Sequence, residues 1–260
     1  MAIAGLITIA AQRATAQETN PMPALSDYGV VSGVAPDSST VSPDSELSAT
    51  SPPGYCNPCR YYSGNFDAAG PNPDGLANEN DRVISLSQVY TPFTIPSGHQ
   101  WTVTGLFINS FAETAEIKPK ITGWSLWTGV SAGQAGTLRA AGTGRATMTP
   151  TGRNVVGLPE YTIMVTLSAP VTLPCGVYWL NMLPQCTNTS DSNCAGQRYY
   201  ESNVEDASPN HHFGPANILD DSFINSNAFS IDYVAATSQG SFDLFSFGVI
   251  GTATTGPICL

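Results

Sequence analysis

An all-β fold is predicted for this chain, as a β-sandwich or jelly-roll-like single domain with an extended N-terminal leader. After Cys56, runs in which apolar and polar residues alternate recur along the chain, and Gly and Pro residues separate them. No stretch keeps the 3.6-residue period of an amphipathic helix over three turns. Only 11% of the 260 residues are charged, whereas 24 are Gly and 20 are Pro, so long charged helices are not expected.

The first 55 residues have a different character from the rest. Residues 1–16 are predicted to be a signal peptide, because the apolar run Ala2–Ala11 is followed by the small-x-small motif Ala14-Thr15-Ala16. No basic residue precedes the run, which indicates either a misplaced start codon or a truncated signal peptide. Residues 17–55 are rich in Ser, Pro, Asp and Thr, which predicts an extended leader or linker. A short strand at Tyr28–Val31 would make this leader a docking arm for a neighbour.

The β domain is predicted to span residues 56–260, which is a normal size for one sandwich. Its strands are expected over seven β-rich runs: RVISLSQVYTPFTI, WTVTGLFINSF, KPKITGWSLW, YTIMVTLSAPVTL, GVYWLNML, QRYYES and SFDLFSFGVI. Turns are expected between them: PSGHQ, TGVSAGQAG, AAGTG, TPTGR and SAP.

The charge of the chain excludes one class of partner. The formal net charge is −11, and no Lys or Arg follows Arg198. Because basic residues are needed to neutralise a phosphate backbone, nucleic acid is excluded as a partner, and anionic membrane surfaces are disfavoured. Self-association, an extracellular polysaccharide or a divalent cation fits the composition better, and no membrane insertion of the mature chain is expected.

Three segments carry a resemblance to a known kind of protein: DGLANENDRVISLSQVYTPFTIPSGHQWTVTGLF, WSLWTGVSAGQAGTLRAAGTGRATMTPTGR and VTLPCGVYWLNMLP. In this order the chain resembles, from Tyr61 to Gly251, secreted bacterial β-sandwich proteins of the kind that often carries a PEP-CTERM-type sorting anchor. The resemblance implies an exported sandwich associated with the cell surface or matrix. The final residues GTATTGPICL depart from that pattern, because they contain no Pro-Glu-Pro motif, apolar helix or basic tail.

Six cysteines, an even number in a chain with a signal peptide, predict disulfides. The preferred pairs are Cys56–Cys59, Cys186–Cys194 and Cys175–Cys259. The second pair closes a polar loop, and the third ties the C-terminus to a core strand. The Cys-x-x-Cys spacing of the first pair also occurs in redox centres and zinc sites. A redox role is disfavoured because a strand-like run, not a helix, follows Cys59, and a zinc site would need two more ligands from Cys186 and Cys194 or from His211 and His212.

A formal nucleophile-elbow motif, G-x-S-x-G, is present at Gly129–Gly133. That motif requires a strand before the serine and a helix after it. The residues that follow are interrupted by glycines, so we expect a hairpin loop around Ser131. No catalytic residue is assigned.

Acidic and amide side chains concentrate in the stretch GNFDAAGPNPDGLANEND. Calcium prefers six to eight oxygen ligands of these kinds. The candidate ligands are Asp67, Asp74, Asn78, Asn80 and Asp81. The pair Asp220-Asp221 is a second candidate, and solvated turns are the alternative for both stretches. Calcium is the single cofactor that the sequence suggests.

Aromatic side chains on an outward strand face can stack on sugars. Trp124 and Trp127 have opposite strand parity, so at least one of them is expected to face outward. Tyr199 and Tyr200 divide in the same way, whereas core packing is expected for Trp101 and Trp179. The candidate ligand-binding side chains are therefore Trp124, Trp127, Tyr199 and Tyr200.

The sequence therefore predicts a secreted, non-enzymatic, disulfide-stabilised structural or adhesive protein of the cell surface, the matrix or an extracellular filament. A carbohydrate-binding module with calcium-stabilised loops is the alternative. A secreted hydrolase that uses paired carboxylates or a Ser–His pair is a third hypothesis.

Overall fold

A computed structural model gives the fold, and it describes residues 54–66, 75–79, 86–112, 121–155, 158–185, 199–204, 213–215, 221–239 and 244–259. Over these residues the chain is built from antiparallel β-strands with one short 3-10 helix, so the predicted all-β class is confirmed. Within the same ranges no helix is long and apolar enough to span a bilayer. The predicted signal peptide and leader, through Pro53, lie outside the described residues.

Twelve strands occur in the described residues. In chain order they are β1 Cys59–Tyr62, β2 Gly75–Ala77, β3 Ser87–Ala112, β4 Ile121–Thr128, β5 Thr137–Gly144, β6 Ala146–Val155, β7 Leu158–Gln185, β8 Tyr199–Val204, β9 Phe223–Ser226, β10 Ile231–Ala235, β11 Leu244–Phe245 and β12 Phe247–Thr255. The 3-10 helix, Ala236–Gln239, follows β10.

A long two-stranded ribbon organises the fold. Strands β3 and β7 pair along most of their length, from Thr91 opposite Leu180 to Phe111 opposite Glu160. The pairing is interrupted where residues 96–99 of β3 lie opposite Cys175 of β7. Pro96 and Gly98 lie at this interruption, and Gly98 has a φ of 80°, a conformation that glycine adopts without strain. The ribbon is thereby divided into two halves.

The two halves of the ribbon belong to two layers. The first layer contains, in order, β5, β4, residues 176–185 of β7, residues 87–95 of β3, β9 and β10. The second contains β6, residues 158–174 of β7, residues 100–112 of β3, β12 and β1. The short strands β2, β8 and β11 extend the second layer at the end of β3.

The core lies between these layers. Phe93 of the first layer stacks on Trp101 and lies 6.1 Å, between ring centroids, from Phe247 of the second layer. Both faces contribute aliphatic side chains, such as Leu126 from the first layer and Leu106 from the second. Two layers packed face to face are the arrangement of a β-sandwich. The jelly-roll topology stays a prediction.

Two disulfides lie in the described residues, and both belong to the preferred set. Cys56–Cys59 joins the segment before β1 to the first residue of β1, and both cysteines are buried in a cluster on the outer face of the second layer. Cys175–Cys259 joins the interruption of the ribbon to the residues after β12. The same junction is held by backbone hydrogen bonds between Gly98 and the segment Gly256–Pro257. The predicted Cys186–Cys194 pair lies outside the described residues.

Four of the five predicted turns lie within strands. PSGHQ lies in β3, AAGTG in β5, TPTGR in β6 and SAP in β7. In β5 the glycines are required by close packing: a Cβ at Gly142 would lie 2.7 Å from Trp124 Cζ2, and one at Gly144 would lie 2.4 Å from Val165 Cγ1. In β6 a register shift between Pro150 and Asn154 accommodates Gly152 at a φ of 84°. Glycine therefore marks tight layer contacts and a bulge here.

Candidate functional site

An aromatic cluster covers part of the outer face of the first layer, on the side away from the core. We call it the outer aromatic cluster. Its buried members are Tyr90, Val130, Trp179 and Phe223, and its partly buried members include Trp127 and Tyr233.

The strand register brings these rings together. Trp127 of β4 lies directly opposite Trp179 of β7, and Tyr90 of β3 lies opposite Phe223 of β9. Because side chains alternate along a strand, these positions share the outer face while Leu126 and Phe93 point into the core. Tyr233 reaches the cluster from β10 with a φ of 43°, which is unusual for a residue with a side chain.

The geometry of the cluster leaves two rings in contact with solvent. Tyr90 meets Trp127 edge to face at 6.1 Å and Tyr233 at 5.3 Å, between ring centroids. The Tyr90 and Tyr233 hydroxyls are 3.4 Å apart. Burial raises the pKa of the Tyr90 phenol well above its usual range, so Tyr90 stays neutral at all physiological pH values. Trp127 and Tyr233, being only partly buried, form the accessible part.

The hairpin between β4 and β5 contacts this cluster, and it contains the G-x-S-x-G motif. Gly129 and Gly133 have positive φ values, Ser131 and Gln134 exchange backbone hydrogen bonds, and the Gly133 N–H donates to the Tyr233 carbonyl. The predicted hairpin around Ser131 is thus confirmed. An antiparallel strand follows it, so the strand-turn-helix geometry of a nucleophile elbow is absent from residues 121–144.

Asn78, one of the predicted calcium ligands, is fully buried and bridges β3 and β7 where these two strands separate. Its amide nitrogen donates to the Met182 carbonyl at 2.8 Å, and its amide oxygen accepts the Val89 N–H at 3.2 Å. The side chain therefore replaces a missing pair of ladder hydrogen bonds between β3 and β7. This structural role accounts for a buried amide at the end of the acidic stretch.

The other predicted calcium ligands, Asp67, Asp74, Asn80 and Asp81, lie outside the described residues, and their metal binding stays a prediction. Asp221 is described, and its backbone carbonyl accepts a hydrogen bond from Trp179 Nε1. Among the described residues, no three His, Cys, Asp or Glu side chains come together as a metal cluster.

The four predicted ligand-binding aromatics are placed differently. Trp124 faces the core and Trp127 the outer aromatic cluster, as their opposite parity predicts. Tyr199 and Tyr200 lie on β8, opposite Ala112 and Phe111 of β3. Trp101 and Trp179 are both buried, Trp101 between the layers and Trp179 as a member of the outer aromatic cluster.

Sequence reasoning did not identify Tyr90 or Tyr233 as members of this cluster. The position of Tyr90 in its strand could have identified it. Val89 and Phe93 are core residues, and the side chain of Tyr90 points to the opposite face of the strand. Tyr233 had no such signal, since β10 contains a register shift between Ile231 and Val234.

A buried carboxyl group, Glu201, was also missed. Glu201 lies on β8 with 2% of its surface exposed, and Asn78 donates to its Oε2. Burial raises the pKa of Glu201 well above its usual range, and the hydrogen bond from Asn78 offsets this only in part. Burial within the fold therefore favours the neutral form of this carboxyl group.

We expect this carboxyl group to make the protein less stable as the pH rises. A group whose pKa is raised by folding contributes its stabilisation below the unfolded pKa, near 4.5, and loses it as the pH rises through the folded value. The slope is at most about 1.4 kcal/mol per pH unit. Urea unfolding between pH 4 and pH 8 should show this slope in the wild type and a flatter profile in Glu201→Gln. The exposed Asp232→Asn variant is the control, and identical slopes in wild type and Glu201→Gln would contradict the assignment.

No protein-family model, characterised protein or solved structure matches this chain.

Proposed function

We propose that this protein is an exported, non-enzymatic structural or adhesive β-sandwich that assembles at the cell surface, in the extracellular matrix or in a filament. The predicted signal peptide at residues 1–16 and the resemblance to secreted bacterial sandwiches support export. The charge of −11 and the Ser/Pro-rich leader fit an extracellular protein with an extended arm.

The observation that carries the proposal is the covalent fastening of the described domain at both of its ends. Cys56–Cys59 secures the entry to β1, and Cys175–Cys259 secures the residues after β12 to the ribbon. Disulfides persist in oxidising compartments. A domain fastened in this way resists fraying under load or proteolysis, which is what a structural or adhesive protein requires.

The proposal is tested in the cells that produce the protein. Mass spectrometry of the mature chain is expected to find an N-terminus near Gln17. Immunogold electron microscopy is expected to find the protein outside the cell, in surface, matrix or filament material. A cytoplasmic protein that retains residues 1–16 would overturn the proposal.

Carbohydrate binding is the second candidate, and the outer aromatic cluster favours it. Trp127 and Tyr233 present partly exposed rings in one cluster on the outer face of the sheet, and rings of this kind stack on the apolar faces of sugars. The two ring systems are held in place by the buried Tyr90 between them. Loops stabilised by calcium belong to the same candidate function.

A panel of polysaccharides, offered with and without a chelator, tests this second candidate. Binding is expected to fall at least tenfold in Trp127→Ala. It is expected to persist in Tyr55→Ala, which removes a half-buried ring on the outer face of the other layer. Equal binding by the two variants, or no binding to any polysaccharide, would eliminate the candidate.

A further inference from the structure

Strand β5 is an open edge of the first layer. Among the described strands, β5 pairs only with β4. All eight of its residues are at least partly exposed, and Leu138 has 48% of its surface exposed. The strand contains no proline and no acidic residue, and Ala140 to Gly144 keep an unbroken register with β4. An edge of this kind presents free N–H and C=O groups to another strand.

The strands at the other three ends of the two layers, β6, β10 and β1, carry features that oppose strand addition. In β6, Pro150 lies at a register shift. In β10, a register shift and the positive φ of Tyr233 distort the edge. In β1, Tyr62 exchanges two backbone hydrogen bonds with Phe213. These are the devices by which natural sheets protect their edges, and β5 has only the single shift near Arg139.

The inner face of β5 covers the edge of the core with very small side chains. Ala140, Gly142 and Gly144 lie there, because Trp124 and Val165 leave no space for larger residues. A strand added beyond β5 would extend this cover with its own inward-facing side chains.

The segment of the sequence that contains β5 has a charge opposite to that of the chain as a whole. Between Glu116 and Glu160 the sequence has no acidic residue and five basic ones: Lys118, Lys120, Arg139, Arg145 and Arg153. Arg139 and Arg145 are exposed at this edge. The leader, residues 17–55, has no basic residue and five acidic ones: Glu18, Asp27, Asp37, Asp44 and Glu46.

We propose that residues 27–34 of the leader of a second copy add as a strand to the free edge of β5. The segment, DYGVVSGV, begins with an acidic residue and contains the leader's longest β-prone run. Main-chain hydrogen bonds would supply affinity, and the acidic leader would meet Arg139 and Arg145. The inference rests on the proposed function, because the strand that occupies the β5 edge comes from another copy of this chain.

The position of the two ends favours a chain of molecules. The leader joins the domain beside β1, at one edge of the second layer, whereas β5 lies at the far edge of the first. The 20 residues after Val34 span up to about 66 Å when extended, while a layer of five strands is only about 19 Å across between its outer strands. The leader is therefore long enough to reach a β5 edge. When it occupies the edge of a second copy, each copy offers a donor at one edge and an acceptor at the other, which generates a head-to-tail assembly.

Two blocked variants test the proposal. Val30→Pro/Val31→Pro removes the donor, since proline cannot donate hydrogen bonds to a ladder. Leu138→Glu/Arg139→Glu removes the acceptor at exposed positions and reverses its charge. Each variant alone is expected to be monomeric by sedimentation velocity, and an equal mixture is expected to form heterodimers, because one free donor meets one free acceptor.

Matched controls separate strand addition from general effects. Val41→Pro introduces a proline into the leader outside the donor segment, residues 27–34. Thr147→Glu/Thr149→Glu places two carboxylates on exposed positions of β6. Both are expected to assemble like the wild type. Assembly by the donor-blocked variant, loss of assembly in either control, or a monomeric mixture would overturn the inference while leaving assembly itself intact. A monomeric wild type would overturn both the inference and the assembly part of the proposed function.

Discussion

Replacing Cys175 and Cys259 with serine is expected to lower the free energy of unfolding by about 4.5 kcal/mol. The disulfide closes a loop with a sequence separation of 84, so the unfolded chain gains much conformational freedom when the bond is lost. The junction that the bond secures includes the interruption of the β3–β7 ribbon. Guanidinium unfolding of the oxidised wild type and the Cys175→Ser/Cys259→Ser variant measures the difference.

The second disulfide is the internal control for this prediction. Cys56–Cys59 has a sequence separation of 3, and the loop-entropy argument gives it a smaller effect. Cys56→Ser/Cys59→Ser should therefore lose about half as much stability or less. A larger loss from the short-range pair than from Cys175–Cys259 would contradict the argument.

Removing Arg153 is expected to cost about 3–5 kcal/mol, because Glu160 would be left as an unpaired buried charge. Glu160 has no exposed surface, and Arg153 Nε donates to its Oε2 at 2.5 Å. Thr151 Oγ1 donates to the same oxygen at 2.7 Å. Thermal and denaturant unfolding of Arg153→Met measure the cost.

A double variant distinguishes the loss of a partner from the loss of packing. Arg153→Met/Glu160→Gln removes both charges, so it should recover most of the stability lost in Arg153→Met. If the double variant were as unstable as the single one, the buried charge would not be the cause.

The ion pair belongs to a polar region that extends across the outer face of the second layer. Asn109 donates to the Tyr62 hydroxyl and to Ser246 Oγ, and it accepts a hydrogen bond from Thr162. Burial raises the pKa of the Tyr62 phenol, which keeps it neutral. This region ties β1, β3 and β7 together with the residue before β12, and so supports the rigidity that the proposed function requires.

The strands could be predicted from the sequence because alternation is a local property. The run WTVTGLFINSF predicted the second half of β3, and GVYWLNML predicted the second half of β7. The predicted turns at AAGTG and TPTGR were wrong because glycine was interpreted as a turn signal. Gly142 and Gly144 are instead required by close contacts with Trp124 and Val165, and Gly152 lies at a register shift in β6. These requirements arise from packing against a neighbouring strand, from contact with the other layer and from strand register, which no local pattern contains.

The roles of the candidate site residues could likewise be predicted only where a local pattern determines them. The parity of Trp124 and Trp127 predicted their opposite faces, because two positions on one strand fix each other. The amide of Asn78 was interpreted as a calcium ligand, since its type and its acidic neighbours fit one. Its contacts with Val89 and Met182 depend on how β3 and β7 separate, so only the folded chain reveals its structural role.

Sedimentation velocity of the mature, oxidised protein over a wide range of concentrations tests the central claim most directly. The proposed function and the open edge of β5 predict species larger than the monomer, whose proportion rises with concentration. A single monomeric species at every concentration, with the leader intact, would contradict the account.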